Sequence, residues 1–433
     1  MKIVFLSPGT GSYYCGACMR DNALARELHR SGHDVTIAPM YLPLSLDETA
    51  LEGLDKVPVF FGGINVYLQQ KMSFFRKTPR IFDRLFNSRR LLRWAARHSH
   101  MTSAREHGEM TLAMLNVGTS PLRKELDKLC DWLEQLGKPD VICLSTALLA
   151  GLAPELKARF GVPVVVFFQG EDTFLDSLPQ PWRGECWLSL VRRLPATDLL
   201  ISPSGSYADL MRGKLGLERG RIEVLHNGIS LEGYGPPAQP PATPTIGYLG
   251  RMSREKGVYI LLEAFFVLAL EKGDHTTRLR IAGTATAGDE PFITEMKRRI
   301  SNVKLESRVD WLPNLTREQK IEFLRGLTLF SVPVTYAEAF GLYVIEAMAC
   351  GVPVVQPESA SFPEIIAATG GGVCVRPRHP DSFANAWHAL LADPARRAEL
   401  GQAGRLGVEK RFTSRTMAAQ FDLLVSRLLR PKA

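Results

Sequence analysis

The sequence predicts an α/β protein made of two doubly wound parallel-sheet domains in tandem. Three observations carry this. The chain has 433 residues, too many for one hydrophobic core. It opens with an apolar strand, a glycine loop, a helix and a second strand, the order of a parallel crossover unit. The same order restarts after a Gly/Pro-rich stretch at 227–244 that reads as a domain linker. The expected organisation is an N-terminal domain over 1–226, the linker, a C-terminal domain over 245–415, and a last helix over 416–433 packing back on the N-terminal domain.

In the first half, Lys2–Ser7 is an apolar strand and Gly9-Thr10-Gly11-Ser12 a glycine loop. A helix runs from about Arg20 to Arg30, and Asp34–Ala38 is the next strand. Glycines after a first strand let a ligand approach the backbone closely. Cys15-Gly16-Ala17-Cys18 follows the loop, and a single CxxC reads either as a reactive thiol pair or as small residues lining a pocket. Gly63–Gln69 is a strand, and a basic insertion fills about 70–118. Pro121–Leu136 is an amphipathic helix, Leu148–Phe160 another, and Val162–Phe168 a strand ending in Gln169-Gly170-Glu171-Asp172. Ligands of parallel sheets bind at the carboxyl ends of strands, so Gln169, Glu171 and Asp172 are site candidates by position. In the second half, Thr245–Leu249, Leu279–Ala282, Val309–Leu312, Thr328–Pro333 and Val352–Val355 read as strands. Val258–Leu270, Leu342–Ala349, Phe383–Leu391 and Met417–Leu429 read as helices.

Composition excludes several classes. At 45% hydrophobic and 23% charged, the chain is an ordinary globular protein with no apolar run long enough to span a bilayer. Its N-terminal strand is too short for a signal peptide, and seven scattered cysteines read as reduced thiols, so a cytoplasmic protein is expected. The net charge of +8 is concentrated between Lys71 and Arg97, where nine basic residues face Asp83 alone among interleaved apolar side chains. Such a segment fits peripheral contact with an anionic membrane, or a helix packed on its own domain with a solvated basic face. No nucleic-acid recognition motif accompanies it, and nucleic acid is not an expected partner. Neither half shows the dinucleotide glycine spacing of a dehydrogenase.

Two stretches carry chemistry. In Glu338-Ala-Phe-Gly-Leu-Tyr-Val-Ile-Glu346, a bend at Phe340-Gly341 leads into a helix start at Leu342. A helix start offers free N–H groups and a positive dipole end to an anion, phosphate above all. Eight helical residues rise about 12 Å, so the flanking carboxylates can meet the two ends of an extended polyhydroxyl ligand with phosphate in its middle. They also fit two acids with no shared role. In Gly250-Arg251-Met-Ser-Arg-Glu-Lys256-Gly257, a cation stands at each end of a short loop between a strand and a helix. Arginine offers a fork and lysine a point charge to a diphosphate. No DxD acid pair stands ready for a divalent cation, so neither metal nor cofactor is expected and the positive charge comes from side chains and the helix start.

These residues resemble the retaining glycosyltransferases of the two-Rossmann GT-B fold, and within them glycosyltransferase family 4, also called glycosyl transferases group 1. Gly250-Arg251 with Lys256-Gly257 resembles the family's GRxxxxKG motif, and Glu338 with Glu346 its EX7E motif. The resemblance covers nearly the whole chain and is most specific from Gly247 to Val355. It implies two Rossmann-like domains facing a central cleft. It also implies that Arg251, Lys256, Gly341 and Leu342 bind the donor diphosphate. Glu338, Phe340 and Gly341 would meet the donor sugar, and Glu346 the ribose. Gly9, Thr10, Gly11 and Ser12 would lie on the acceptor side. The family usually carries histidine where this chain has Gln169. Glutamine can hydrogen-bond a sugar hydroxyl and keeps the backbone carbonyl, but it exchanges no proton near neutral pH. Either Gln169 suffices, or Asp172 or Glu171 takes a role, or activity is reduced.

The resulting expectation is a retaining, metal-independent glycosyltransferase of the hexosyltransferase class. It would move a sugar from a nucleoside-diphosphate-sugar donor to a hydroxyl of a glycan, lipid-linked or small-molecule acceptor, with Glu338, Gln169 and Asp172 as the catalytic set. Two rivals stand beside it: a nucleotide-sugar-binding relative that has lost transfer, and an epimerase or phosphorylase on the same architecture.

Overall fold

The computed structural model describes residues 1–9, 16–62 and 104–430. Thr10, Gly11, Ser12, Cys15, the strand expected at 63–69 and the basic stretch 71–97 lie outside the described residues. The chain divides into two compact units, Met1–His226 with Met417–Ala433, and Asn227–Thr416. The Gly/Pro-rich segment 227–244 therefore belongs to the second unit, and the last helix to the first.

The first unit is built on six parallel strands: β1 (Lys2–Ser7), β2 (Asp34–Pro39), β3 (Val141–Leu144), β4 (Val164–Phe167), β5 (Leu199–Ser202) and β6 (Ile222–Val224). Their order is β2-β1-β3-β4-β5-β6. Ile3, Val4, Phe5 and Leu6 are fully buried, as a parallel strand covered on both faces requires. The helix Ser414–Leu429 covers this sheet. Met417, Ala418, Phe421 and Val425 recur at helical spacing, and Phe421 packs 6.0 Å from Phe5 and 5.9 Å from Phe167 between ring centroids. The first helix begins at Gly16, a turn before the expected Arg20. Leu148–Phe160 is a 3₁₀ segment, Ala147–Leu152, running into the helix Ala153–Phe160.

The second unit repeats the plan with β7 (Thr245–Leu249), β8 (Arg278–Gly283), β9 (Val309–Pro313), β10 (Leu329–Phe330), β11 (Val354–Pro357) and β12 (Gly372–Val375). The order is β12-β11-β10-β7-β8-β9, all parallel. Chain order reverses between β7 and β10. In open α/β sheets ligands bind outside the strand ends at such a switch point. The loops that leave β7 and β10 there are 250–257 and 331–341, the two stretches singled out above. The helix that follows β7 is α-helical over Val258–Phe266 and closes in a π turn, Val267–Glu271, where one continuous helix was expected.

Candidate active site

The loop after β7 is fixed from below and from the side. Gly250 N–H donates to the Ala282 carbonyl at 3.1 Å and Met252 N–H to the Thr284 carbonyl at 2.9 Å, which seats the loop on the end of β8. A side chain at Gly283 would put its Cβ 1.9 Å from the Gly250 carbonyl oxygen, so only glycine permits this contact. The buried Tyr248 donates its hydroxyl to the Arg251 carbonyl at 2.7 Å. Across the switch point, Thr335 N–H donates to the Glu255 carbonyl at 3.0 Å, tying the two loops together.

On these loops the charges meet in pairs. Lys256 donates to Oε2 of Glu338 at 2.5 Å, 82 residues away in sequence. Tyr336 and Tyr343 donate to the same oxygen at 3.1 and 2.8 Å. Burial pushes the Glu338 carboxyl up, but Lys256 and the two hydroxyls outweigh it and hold the group below its ordinary value. Glu346, one helical face further along, accepts from Lys320 at 2.7 Å and from the Tyr234 hydroxyl at 2.8 Å. Burial pushes it up as well, and Lys320 and Tyr234 bring it net down. Arg251 pairs with neither glutamate. It reaches Asp289 at 3.0 Å, and Asp289 is buried and also accepts from the Thr286 hydroxyl at 2.6 Å. The Arg251 side chain is 57% exposed, free to turn toward a ligand at little packing cost.

Glu338 precedes the helix Leu342–Ala349, and Glu346 lies within it, a turn beyond its start. Gly341 precedes it at φ 86°, a conformation suited to glycine, and the Phe340 carbonyl is held by the Ser361 hydroxyl at 2.7 Å. No side chain caps this helix start, which leaves its first N–H groups to other acceptors. Leu342 is the first helical residue and lies half-buried. Phe340 itself is buried in the core of the unit.

In the first unit, Gly9 follows β1 at φ 68°, where a Cβ would meet the Leu42 carbonyl oxygen at 1.7 Å. Gln169 follows β4. Its side-chain nitrogen is buried and has no hydrogen-bond partner among the described residues. Glu171 is occupied: its Oε1 accepts from Thr146 Oγ1 at 2.7 Å and Ala147 N–H at 2.9 Å, and its Oε2 from Gln169 N–H at 2.7 Å and the Tyr207 hydroxyl at 3.3 Å. Asp172 accepts from the same Tyr207 hydroxyl at 2.7 Å. Cys18 is buried, 3.9 Å from the Ser7 hydroxyl. Among the described residues no three His, Cys, Asp or Glu side chains gather as a metal set, and no helix is long and apolar enough to cross a membrane.

Sequence reading alone passed over Asp289, Lys320, Tyr234, Tyr336 and Tyr343. Tyr336 and Tyr343 lie beside Glu338 in sequence, a signal that was available. The others come from distant segments and carry none.

Comparison with known proteins bears on the family and the fold. Residues 236–407 match the family described as Glycosyl transferases group 1, and residues 20–228 match the Glycosyl transferase 4-like domain. A D-inositol 3-phosphate glycosyltransferase of Pseudarthrobacter chlorophenolicus is 26% identical over 392 residues, covering 83% of this chain and 89% of that protein. The sucrose-phosphate synthase structure from Thermosynechococcus elongatus superposes with a TM-score of 0.73 at 18% identity, covering 99% of each chain. The Anabaena protein HepE, solved with UDP-glucose, gives a TM-score of 0.67 at 17% identity over 99% of this chain and 100% of its own. With a Glycosyl transferases group 1 match in the second unit and a Glycosyl transferase 4-like match in the first, the chain is a glycosyltransferase of the GT-B fold.

Proposed function

We propose that the chain transfers a sugar from a nucleoside-diphosphate donor to an acceptor hydroxyl, with retention at the anomeric carbon and without a metal ion. The observation that carries the reading is the set at the switch point of the second sheet: Lys256 on Glu338, Arg251 on Asp289, and the uncapped start of Leu342–Ala349. A diphosphate arriving here draws Lys256 and Arg251 from their carboxylates and adds the helix start as a third positive partner. Glu338, released, takes hydrogen bonds from sugar hydroxyls, and Glu346 those of the ribose. In the transfer, the bond from the anomeric carbon to the diphosphate oxygen breaks and a bond to the acceptor oxygen forms. The acceptor's proton leaves with the diphosphate. The cations and the helix start stabilise the charge on the leaving group, the effect that usually dominates such catalysis. The UDP-glucose held by the Anabaena neighbour supports a nucleotide-sugar donor. Gln169 and Asp172 are assigned with Glu338 to the catalytic set, Gln169 holding a sugar hydroxyl through its unpartnered amide nitrogen.

Thermal stabilisation across nucleoside diphosphates and nucleotide sugars, with and without magnesium, tests the reading. One diphosphate should raise the melting point, independently of magnesium, and the rise should vanish in Lys256→Ala. No rise with any of them rejects the donor site. Anomeric proton signals of the first product formed decide retention. Gln169 in place of histidine favours one second reading, a binding relative without transfer. Binding without turnover in the parent, with turnover gained in Gln169→His, would establish it.

A further inference from the structure

The cation and the carboxylate at the centre of the site stand on the same two side chains. Tyr336 and Tyr343 each donate a hydroxyl to Oε2 of Glu338, at 3.1 and 2.8 Å. Each also turns its ring to the Lys256 ammonium, which lies 5.2 Å from the Tyr336 centroid and 4.9 Å from that of Tyr343. Lys256 completes the triangle on Oε2 at 2.5 Å. Tyr343 is buried, with its ring 6.1 Å from Phe330 and 6.4 Å from Phe362, so its hydroxyl is fixed by core packing. Tyr336 comes from the loop after β10 and Tyr343 from the helix Leu342–Ala349, so the two hydroxyls are positioned by separate elements.

An ion pair alone would suit poorly a site whose lysine has to change partner. A shielded carboxylate that loses its counter-ion bears its full desolvation cost and takes up a proton. A protonated Glu338 would be a weaker acceptor for sugar hydroxyls and would lose its charge beside the reacting sugar. Two retained hydroxyl donors prevent this. The departing ammonium in turn keeps two aromatic faces, whose attraction for a cation strengthens where water is scarce.

We propose that Tyr343, together with Tyr336, is a positioning residue of the transferase site: the pair holds Glu338 in place and charged while Lys256 exchanges that carboxylate for the donor diphosphate. The proposal rests on the reading of Lys256 as the diphosphate ligand. The charged and titratable groups that bear on Glu338 are Lys256 from the loop after β7, Tyr336 from the loop after β10, Tyr343 from the helix, and Tyr248 of β7, whose hydroxyl is pushed up by burial and by the Glu338 and Asp289 charges. Tyr343 is pushed up in the same way, by burial and then by Glu338, so it remains a donor over the working range.

The test needs no knowledge of the donor. Lys256→Met stands in for the state in which the lysine has left. The Glu338 carboxyl is titrated by carbon NMR in glutamate-labelled protein, its signal assigned by its loss in Glu338→Gln. In Lys256→Met the group should remain ionised at neutral pH. Adding Tyr343→Phe, which keeps the ring and removes the hydroxyl, should move its midpoint up by about one pH unit. Adding Tyr336→Phe should move it further. Tyr343→Phe in the parent background gives the same reading with a smaller shift, and covers the case in which the double variant does not fold. A midpoint unmoved by Tyr343→Phe overturns the proposal. Binding of UDP, GDP and ADP to the parent and to Lys256→Met is measured alongside. If Lys256→Met weakens the diphosphate that binds the parent while the tyrosine variants leave the titration unmoved, the donor reading stands and the positioning role falls. If Lys256→Met binds as the parent does, the donor reading fails first and the positioning role with it.

Discussion

The two sheets end in different kinds of polar apparatus. Around the switch point of the second unit three acids each have a cation: Glu338 has Lys256, Glu346 has Lys320, and Asp289 has Arg251. At the end of β4 in the first unit the acids are held by neutral donors. Glu171 takes two hydroxyls and two backbone N–H groups, and Asp172 takes the Tyr207 hydroxyl. Opposite charges can be drawn apart by a ligand that offers each a new partner. A carboxylate tied by backbone N–H groups cannot leave without unmaking the loop that ties it. Under the proposed function the paired charges of the second unit exchange partners, while the acids of the first hold a shape. Of Gln169 and Asp172 in the first unit, only Gln169 has a buried side-chain atom with no hydrogen-bond partner among the described residues.

The sharpest way to break this contrast is to remove an exchangeable charge. Lys256→Ala should lower kcat/KM by roughly 10²–10³, about 3–4 kcal/mol, as loss of a charge-stabilising donor does elsewhere. Steady-state kinetics with the donor found by melting-point screening would measure it, and a variant as fast as the parent would remove Lys256 from the reaction. On the other side, Glu171→Ala leaves Thr146, Ala147 and Gln169 without their acceptor, while Tyr207 keeps Asp172, and should cost about 3 kcal/mol in urea unfolding, a structural loss with no exchange of partners involved. A cost below about 1 kcal/mol would mean that water replaces it easily.

A third test uses pH. Glu346 is held below the ordinary glutamate value of 4.5 by Lys320 and Tyr234, against the upward push of burial. Its contribution to stability is therefore complete above that ordinary value and is lost as pH falls through the lowered, folded one. Lys320→Met should flatten the acid limb of the stability curve between about pH 5 and pH 3, with little change in its shape above pH 6. A limb of unchanged slope would show that the pair contributes nothing measurable. The smallest expected effect is in the first unit. Gln169→His should alter turnover by no more than a few fold, about 1 kcal/mol, and add a dependence on pH near neutrality. A flat pH profile would show that the position acts through its backbone.

Much of this was legible in the sequence where the signal is local. The helix Leu342–Ala349 has the bounds that Gly341 and Cys350-Gly351 announce, and β1 and β7 have the bounds their apolar runs give. Contacts between distant segments were not legible. Nothing near Lys256 says that its partner stands 82 residues on, and nothing near Arg251 points to Asp289. The helix Pro394–Arg411 was missed for a different reason. It carries Gly401, Gly404 and Gly407, each a poor helix former. Their value is in packing: a Cβ at 401 would lie 2.3 Å from the Gly351 carbonyl oxygen, at 404 3.0 Å from Gly371 Cα, and at 407 2.5 Å from Thr369 Cα. Three missing side chains let this helix lie almost against the backbone beside it, and tertiary fit overrides propensity.

The helix that carries Phe421 has a consequence for the newborn chain. Its residues complete the core of the unit that begins at Met1, yet all of Asn227–Thr416 is made before them. At a synthesis rate of about 5–20 residues per second, the first sheet waits roughly ten seconds or more with Phe5 and Phe167 uncovered, while the second unit has its whole sequence in hand. The sheet begun first on the ribosome is completed after the second unit has been made, and it is the one in need of protection from aggregation until this helix emerges.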